Sequence, residues 1–284
     1  MRHFRKSGVK SLTIEPRGDS LLYAEYSDGT ICELELPPDS MILFGCQTLA
    51  WHQYDQESIM FFKAACNGSG HQSLSLVDIG ANVGLFTRQA YNICNQSIRK
   101  LWCYEPEPVN YRLLKNNLNY MDNSVRKLFN IALAKEDGHK TLYLSDDNHG
   151  SYSLLAEALE ISGETNNKTS KKTVLCKQAK EVAMEWSTSE LPIFYKSDAE
   201  GFDECIALEV PFEIWKNQIF GGIIELKGVK GKDTYIDSIV PILELFKNKV
   251  LASRHNVNLS TNDLVESVKK VEKLGKSINV YFWK

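Results

Sequence analysis

Short apolar runs recur along the chain, and from residue 73 onwards segments with helical spacing of apolar positions separate them. Runs of this length, rich in β-branched and aromatic residues, predict strands. The predicted strands are 74–79, 100–104, 128–133, 193–197, 222–226, 250–253 and 278–283. Strands that alternate with helices build a parallel sheet with helices on both faces. We therefore expect an α/β fold with a seven-stranded, mostly parallel sheet.

The helices expected between these strands cover residues 84–93, 109–121, 237–246 and 261–274. Leu114, Leu118 and Met121 illustrate the helical spacing. Pro241 is expected near the start of its helix or at a kink, because proline lacks a backbone N–H. Thr261 is the expected N-cap of the last helix.

We expect residues 1–72 to form a small extension of β-hairpin and helix, and residues 73–284 to form the main domain. Ser27-Asp28-Gly29 lies between two strand-like runs, 21–26 and 30–36, and predicts a hairpin turn. A helix is expected at 56–65. Within the main domain, residues 140–144 predict an inserted strand. Residues 160–172 are rich in Ser, Thr, Asn and Lys and predict a mobile surface loop.

Composition restricts the partners and the compartment. The formal net charge is −3, so the chain lacks the basic character typical of proteins that bind nucleic acid phosphates. Because no apolar run approaches about 18 residues, we expect no membrane span. The seven cysteines are scattered without a C-x-x-C pair, which favours a reducing, cytoplasmic location and no metal or disulfide role. No pattern predicts an oligomeric state.

The most informative segment joins the strand 74–79 to the helix 84–93. It reads Asp78-Ile79-Gly80-Ala81-Asn82-Val83-Gly84. Glycine lets the backbone approach a ligand closely, and such turns at strand carboxyl ends bind ligands in open α/β sheets. Tight packing between strand and helix is the alternative reason for these glycines.

Two kinds of nucleotide fit such a turn. A dinucleotide site requires G-x-G-x-x-G and places the pyrophosphate on the helix N-terminus. Here the third glycine is missing, and Asp78 would repel a diphosphate but attract an ammonium group. This charge pattern favours S-adenosylmethionine (SAM), which has an ammonium and a sulfonium but no phosphate. Glu105 ends the next strand, where a carboxylate accepts both ribose hydroxyls of either ligand.

The predicted fourth strand ends in a charged segment, Lys196-Ser197-Asp198-Ala199-Glu200. In extended structure Lys196, Asp198 and Glu200 point to the same side. We therefore expect these three to be the catalytic residues, with a carboxylate as general base and Lys196 holding a carboxylate or an acceptor oxygen. Two carboxylates form an incomplete shell for Mg²⁺, so no metal is expected.

Other candidates near this segment have ordinary structural explanations. His149 is an alternative general base, although a histidine in a polar loop is usually only exposed. Tyr54 and Glu57 either close over the cofactor or cap and pack the first helix. Glu225, at the end of the fifth strand, either borders the pocket or pairs with Lys227 or Lys230. The last strand's Tyr281, Phe282 and Trp283 are expected in the core.

Three blocks together resemble the FkbM-type methyltransferase family. They are Val77–Gly84, Tyr104–Asn110 followed by Leu114 and Asn117, and Tyr195–Asp203. The resemblance covers about residues 57–226 and implies a Rossmann-like class I methyltransferase fold with SAM as cofactor. It implies cofactor roles for Asp78, Gly80, Asn82, Gly84 and Glu105, and an adenine-side position for Asn130. Two residues depart from the family pattern, namely Ser197, which replaces an apolar residue, and Asp203, which replaces the commoner Glu.

The resemblance implies an O-methyltransferase that acts on a hydroxyl of a sugar, a glycan or another small molecule. An NAD-dependent oxidoreductase and a non-catalytic cofactor-binding scaffold are the alternatives. Base methylation is less expected, since Asp198-Ala-Glu-Gly replaces the Pro-Pro-aromatic turn common in such enzymes.

Overall fold

The computed structural model describes residues 9–17, 19–27, 29–37, 42–51, 54–94, 96–145, 152–161, 169–227, 236–252, 258–274 and 276–284. The strands are β1 Val9–Arg17, β2 Asp19–Tyr26, β3 Ile31–Leu36, β4 Leu74–Ile79, β5 Ile98–Tyr104, β6 Arg126–Phe129, β7 Ala132–Ala134, β8 Gly138–Ser145, β9 Thr169–Gln178, β10 Ile193–Ser197, β11 Ile219–Lys227, β12 Asn248–Leu251 and β13 Ser277–Trp283. The helices are α1 Ile42–Cys46, α2 Gln56–Ser69, α3 Leu85–Cys94, α4 Pro108–Asn117, α5 Ala156–Ile161, α6 Ala179–Ser187, α7 Asp203–Glu209, α8 Phe212–Asn217, α9 Ile236–Leu243 and α10 Thr261–Lys273, with a π-helical turn at Gln47–Trp51.

The main sheet has seven strands within the described ranges, in the order β12-β13-β11-β10-β4-β5-β6. The pairs among β11, β10, β4, β5 and β6 are parallel. β13 runs antiparallel to both β11 and β12. The sheet is therefore mixed rather than simply mostly parallel, and it keeps the Rossmann-like arrangement of helices on two faces.

Burial on both faces explains the continuous apolar strands. Every residue of β4 is buried, which is typical of a central strand in a parallel sheet. Phe62 of α2, Phe86 of α3 and Leu114 of α4 belong to the core cluster on one face. On the other face, α6 to α10 contribute a second cluster that includes Trp186 and Trp215. Because β10, β4 and β5 are parallel neighbours, their carboxyl ends lie at the same edge of the sheet. Ligands bind at this edge in open α/β sheets.

The N-terminal segment forms a three-stranded antiparallel sheet, β1-β2-β3. β2 and β3 pair antiparallel, as the predicted hairpin requires, although Asp28 of its turn lies outside the described residues. Strand β1 was not predicted. The helix expected at 56–65 extends to Ser69 and ends at Gly70 in the left-handed conformation. Helix α2 lies in the predicted extension yet packs on β11 and β13 of the main sheet. The division at residue 72 remains a prediction.

The segment from β7 to β9, residues 132–178, is called the inserted region. Its strands β7, β8 and β9 form a small sheet in the order β7-β9-β8. The strand expected at 128–133 is in fact two strands, β6 in the main sheet and β7 in the small sheet. Residues 169–172, expected in a mobile loop, belong to β9, while residues 162–168 lie outside the described residues. The small sheet buries its own apolar cluster, which Phe202 packs against.

The helix expected at 109–121 ends earlier, because α4 stops at Asn117 and Leu118 is its C-cap. Met121 therefore lies beyond the helix.

The ends of α9 and α10 also differ from the predicted ones. Ser260, not Thr261, caps α10, because its Oγ accepts from the Asp263 N–H at 3.2 Å. Pro241 lies inside α9, and the helix ends at Leu243 instead of residue 246. Among the described residues, no helix has both the length and the apolarity that a bilayer crossing requires.

Candidate functional site

A cavity lies at the carboxyl ends of β4, β5 and β10. Gly80 and Asn82 line it from the turn after β4, Glu105 from the end of β5, and Asp198 and Glu200 from the loop after β10. The inserted region contributes Leu142, Tyr152 and Leu154. The structure thus brings five of the predicted site residues to one cavity.

The backbone N–H groups of the turn after β4 are already hydrogen-bonded within the protein. Those of Gly80 and Ala81 both donate to the Tyr104 carbonyl at 3.0 Å. The Asn82 N–H donates to Glu105 Oε2 at 2.8 Å. The Val83 N–H donates to the Asn82 side chain at 2.7 Å, and the Gly84 N–H donates to the Ala81 carbonyl at 2.9 Å. These five donors are therefore not available to a pyrophosphate.

Close packing explains both glycines of the turn. Gly80 has φ 72°, and a Cβ there would lie 2.0 Å from the backbone oxygen of Asp198. Gly84 has φ 86°, and its Cβ would lie 2.7 Å from Leu114 Cδ1. The first glycine therefore lets the turn approach the loop after β10, and the second lets α3 pack on α4. Asn82 also adopts a left-handed conformation, with φ 51°.

Glu105 is a buried carboxylate with spare hydrogen-bonding capacity. Its Oε2 accepts from the Asn82 N–H and its Oε1 from the Glu107 N–H, each at 2.8 Å. An ionised carboxylate has about four acceptor positions, so about two remain for a ligand. Burial raises the pKa of Glu105 to about 8, although both N–H donors oppose this shift.

Asp78 does not itself line the cavity. It is fully buried, and Oδ2 accepts from the Thr87 hydroxyl at 2.5 Å. Oδ1 lies 3.0 Å from Lys196 Nζ, which is also 3.5 Å from Asp198 Oδ2 and 3.4 Å from the Gly80 carbonyl. Burial lowers the pKa of Lys196, but Asp78 and Asp198 outweigh burial and raise it overall. Lys196 is therefore a cation held between two carboxylates.

Asp203 fixes the loop after β10. Its carboxylate accepts from the Ser197 hydroxyl, from the Ala199 N–H at 2.8 Å and from the Gly201 N–H at 3.3 Å. Burial raises the pKa of Asp203 to about 6. Ser197 and Asp203, the two departures from the family pattern, therefore form one hydrogen-bonded unit that holds the segment carrying Asp198 and Glu200.

Glu200 occupies a strained position. Its φ is 52°, which non-glycine residues rarely adopt and which is often found at functional sites. Its carbonyl accepts from the Ser153 hydroxyl at 2.7 Å, and its carboxylate pairs with Lys227. Burial, with a contribution from Asp198, raises the pKa of Glu200 to about 7.

The carboxylates of Asp198, Glu200 and Glu225 converge, with ligand atoms within 4.8 Å of one another. Asp198 and Glu200 do face the same place, as expected. The cause is the turn around Glu200, not the alternation of a strand, because β10 ends at Ser197. Lys227 pairs with Glu200. The pairing of Glu225 with Lys227 stays a prediction, and Lys230, the other partner considered, lies outside the described residues.

Among solved structures, this chain is similar to methyltransferases. One is the FkbM methyltransferase from Methylobacillus flagellatus, with 15% identity, a TM-score of 0.41, and 75% of this chain and 44% of that chain covered. The chain thus spans less than half the length of that protein.

Two further structures are similar at comparable levels. A putative RNA methyltransferase from Pyrococcus horikoshii has 11% identity and a TM-score of 0.37, covering 84% of this chain and 88% of that chain. A geranyl diphosphate methyltransferase in complex with SAM has 11% identity and a TM-score of 0.37, covering 87% and 90%. Neither a protein-family model nor a curated protein matches the chain. We infer the function from the geometry of the site rather than from these similarities.

The remaining predicted residues lie in different surroundings. The Asn130 amide donates to the carbonyls of Glu105 and Pro106, both at 2.9 Å, so it holds the chain after β5. The pKa of Tyr54 is raised mainly by burial, and the nearby carboxylate of Asp198 raises it further. Glu57 is in the first turn of α2 and lines a separate groove, along with Tyr281 and Trp283. His149 lies outside the described residues.

Sequence reasoning left the place of Glu225 open and gave Asp203 no structural role. The position of Glu225 follows from the register of two adjacent parallel strands, in which Ser197 pairs with Ile224. The next residues along, Asp198 and Glu225, are therefore neighbours. The sequence signal is only that Glu225, like Asp198, lies near the end of a predicted strand. For Asp203, the signal is an acid that follows a tight loop by a few residues and can accept its N–H groups.

Proposed function

We propose that the protein is a SAM-dependent methyltransferase that methylates a hydroxyl group. The observation that carries this proposal is Glu105, a buried carboxylate at the end of β5 that lines the cavity and has about two unused acceptor positions. Vicinal ribose hydroxyls supply two donors for these positions. Gly80 and Asn82 shape the adjoining wall, Gly84 holds α3 against α4 behind it, and Asn130 supports the adenine side by holding the backbone after Glu105.

The hydrogen bonds of the glycine turn favour SAM over NAD. A dinucleotide places its pyrophosphate on free backbone donors at this turn. Here the N–H groups from Gly80 to Gly84 already have protein acceptors. SAM needs no such donors because it has no phosphate. No comparable observation favours a non-catalytic scaffold.

Asp78 acts on the cofactor indirectly in this proposal. Its carboxylate orients Lys196, and Lys196 in turn contacts Asp198 and the Gly80 carbonyl. Lys196 then offers a positive charge to the methionine carboxylate, and its contact with Asp198 helps to position that carboxylate beside the cavity. The sequence predicted that Asp78 contacts the ammonium directly. In this proposal Asp78 instead acts through Lys196.

Asp198 is the proposed general base. Its side chain is 44% exposed beside the cavity, so an acceptor can reach it. The acceptor hydroxyl gives its proton to the carboxylate, the oxygen forms a bond to the methyl carbon, and the carbon–sulfur bond breaks. The sulfonium becomes the thioether of S-adenosylhomocysteine. Alignment supplies roughly 7–11 kcal/mol and a positioned base roughly 10²–10⁴-fold.

The proposed acceptor is a sugar, a glycan or another small hydroxylated molecule. The cavity wall combines carboxylates with Tyr152, Leu154 and Phe202. Carboxylates accept hydrogen bonds from hydroxyl groups, and aromatic rings pack on the apolar faces of sugar rings.

We also propose that residues 1–72 form an extension to a methyltransferase domain formed by residues 73–284. The proposed location of the protein is the cytoplasm.

Thermal unfolding with separate additions of SAM, S-adenosylhomocysteine and NAD tests the cofactor. We expect both adenosyl compounds to raise the melting temperature and NAD to leave it unchanged, because a ligand that binds only the folded state stabilises it. Stabilisation by NAD alone would overturn the proposal. Incubation with methyl-labelled SAM and a panel of sugars then tests the acceptor class.

A further inference from the structure

Asp198, Glu200 and Glu225 form a cluster at the ends of two adjacent strands. Asp198 and Glu200 follow β10, and Glu225 lies near the end of β11. Their nearest carboxylate oxygens are all within 4.8 Å of one another. We call this group the carboxylate cluster.

Glu225 is the member with an unsatisfied oxygen. Its Oε2 is buried and has no hydrogen-bond partner among the described residues. Asp198 lies 3.5 Å from Lys196, and Glu200 pairs with Lys227. The Glu225 carboxylate also has a hydrogen bond with the side chain of Ser277, which leaves Oε2 as its unsatisfied oxygen. Buried polar atoms are nearly always hydrogen-bonded, so an orphaned oxygen on a carboxylate beside two others calls for an explanation.

The charge around Glu225 is strongly negative. Burial raises the pKa of Glu225 well above its ordinary value, and Asp198, Glu200 and Asp203 raise it further. Of these neighbours, Asp203 is satisfied by the Ser197 hydroxyl and two backbone N–H groups. Two lysines, Lys196 and Lys227, oppose the carboxylates described here. A cation would relieve the remaining repulsion.

We propose that the carboxylate cluster binds a divalent cation of the hard, oxygen-preferring class. Ca²⁺ takes carboxylate oxygens at about 2.3–2.6 Å, so ligands on opposite sides of the ion lie about 4.6–5.2 Å apart. The three carboxylate oxygens lie within 4.8 Å of one another, which is inside the greatest separation that two ligands of one Ca²⁺ can have. Mg²⁺ takes its ligands at about 2.0–2.1 Å and would require the carboxylates to lie closer together. The sequence analysis expected no metal because two carboxylates form an incomplete shell, and Glu225 supplies the third.

This site is independent of the proposed function, because it is argued from the carboxylates and not from the adenosine cavity. Its position matters to the reaction, since Asp198 and Glu200 also line that cavity. A bound cation would lie where it can hold an acceptor oxygen.

Titration with Mn²⁺, followed by the loss of free-ion electron paramagnetic resonance signal, tests the proposal on the full chain without SAM. We expect the parent protein to bind one Mn²⁺ and Glu225→Gln to bind it roughly tenfold or more weakly. Glu266→Gln removes the same charge from the exposed surface of α10 and should bind as the parent does. Glutamine has the shape of protonated glutamate, so Glu225→Gln should fold.

Glu200→Gln provides a second variant and should weaken Mn²⁺ binding similarly. No binding by the parent at millimolar Mn²⁺, or equal binding by the parent and both cluster variants, would overturn the proposal. SAM binding, measured separately in the absence of Mn²⁺, keeps the two proposals apart. A parent that binds SAM but not Mn²⁺ loses only the metal site, and one that binds Mn²⁺ but not SAM loses only the proposed function.

Discussion

Asp78 and Lys196 form a buried ion pair at the centre of the site. Strand register brings them together, because Lys196 of β10 is the direct partner of Asp78 in β4. A buried charge is tolerated only when it is paired. Lys196 is therefore positioned by the fold itself, and it connects the core of the sheet to the exposed Asp198.

Replacing Asp198 tests its role as general base. We expect Asp198→Ala to reduce methyl transfer by about 10²–10⁴-fold, because the acceptor hydroxyl keeps its proton. SAM affinity should change only a few-fold, since Lys196 keeps its stronger partner Asp78 at 3.0 Å. Single-turnover kinetics and calorimetric titration measure the two effects separately.

Asp198→Asn is the matched control for shape, because it removes the charge and keeps the side-chain volume. It should be as inactive as Asp198→Ala. If either variant transferred methyl groups at the parent rate, Asp198 would not be the base.

Glu105 gives a prediction about pH. With a pKa of about 8, Glu105 is mostly protonated in the free protein at pH 7. Ribose hydroxyls donate to the ionised form, so adenosine affinity should rise about tenfold between about pH 7 and about pH 9. Adenosine is the appropriate probe, because the ammonium of SAM titrates in the same range. Calorimetric titration at several pH values measures this.

Glu105→Gln is the control for that titration. Glutamine does not ionise, so the variant should bind adenosine more weakly and with no pH dependence. A parent protein whose affinity is constant over this range, or a variant that keeps the same pH profile, would remove Glu105 from the ribose site.

Residue types at the site could be predicted from the sequence, but their partners could not. Glu105 and Asp198 are recognisable because they directly follow predicted strands, and Asp78 because it precedes the glycine turn at the end of one. The pairing of Asp78 with Lys196 and of Glu200 with Lys227 depends on strand register and on the left-handed turn at Glu200. A local pattern encodes neither of these.

At the level of secondary structure, the turn between β4 and α3 is the element on which the site depends. Gly80 lets this turn lie against the backbone of Asp198. The turn after β4 and the loop after β10 therefore together form one wall of the cavity. From sequence, either close approach of a ligand or tight packing explains these glycines. The packing role is visible directly, and the ligand role remains part of the proposal.

Gly80→Ala and Gly70→Ala separate close packing from backbone strain. Both glycines have similar left-handed φ values, 72° and 68°, so both variants carry a strain of about 1–2 kcal/mol. Around Gly70 nothing lies within 4 Å of a Cβ, whereas at Gly80 the Asp198 carbonyl is at 2.0 Å. We expect Gly80→Ala to lose about 1–3 kcal/mol more stability in urea unfolding, because the backbone must move. Equal losses would show that the close approach is unimportant.

The strands of the main sheet could be predicted from apolar runs, and 74–79 and 193–197 have the predicted bounds. The inserted sheet was harder. Residues 128–133 look like one run, yet β6 ends at Phe129 and β7 begins at Ala132 in a different sheet. Which sheet a short strand joins depends on long-range packing, here on the cluster around Leu142 and Val174.

For the whole molecule, the buried carboxylates predict how stability depends on pH. The pKa values of Glu105, Glu200 and Asp203 are raised to about 8, 7 and 6 by burial. These groups bind protons more strongly in the folded state than in the unfolded state. The free energy of unfolding should therefore fall as pH rises from about 5 to about 9, since the unfolded state releases protons first.

Urea unfolding at a series of pH values measures this slope. A tenfold difference in an ionisation constant corresponds to about 1.4 kcal/mol, so the total decrease should exceed that value. Glu105→Gln should flatten the slope between about pH 5 and about pH 8, and most visibly above about pH 7, where Glu200 and Asp203 contribute least. Stability that is constant or rises over the whole range would contradict the burial of these carboxylates.

The site as a whole is built from loops of three parallel strands, and its central claim concerns what these loops enclose. A crystal structure of the protein grown with S-adenosylhomocysteine tests this most directly. We predict that both ribose hydroxyls donate to Glu105 and that the homocysteine end lies beside Gly80 and Asp198. Adenosine bound elsewhere, or a pyrophosphate from NAD held by the turn after β4 in a parallel crystal, would contradict the account.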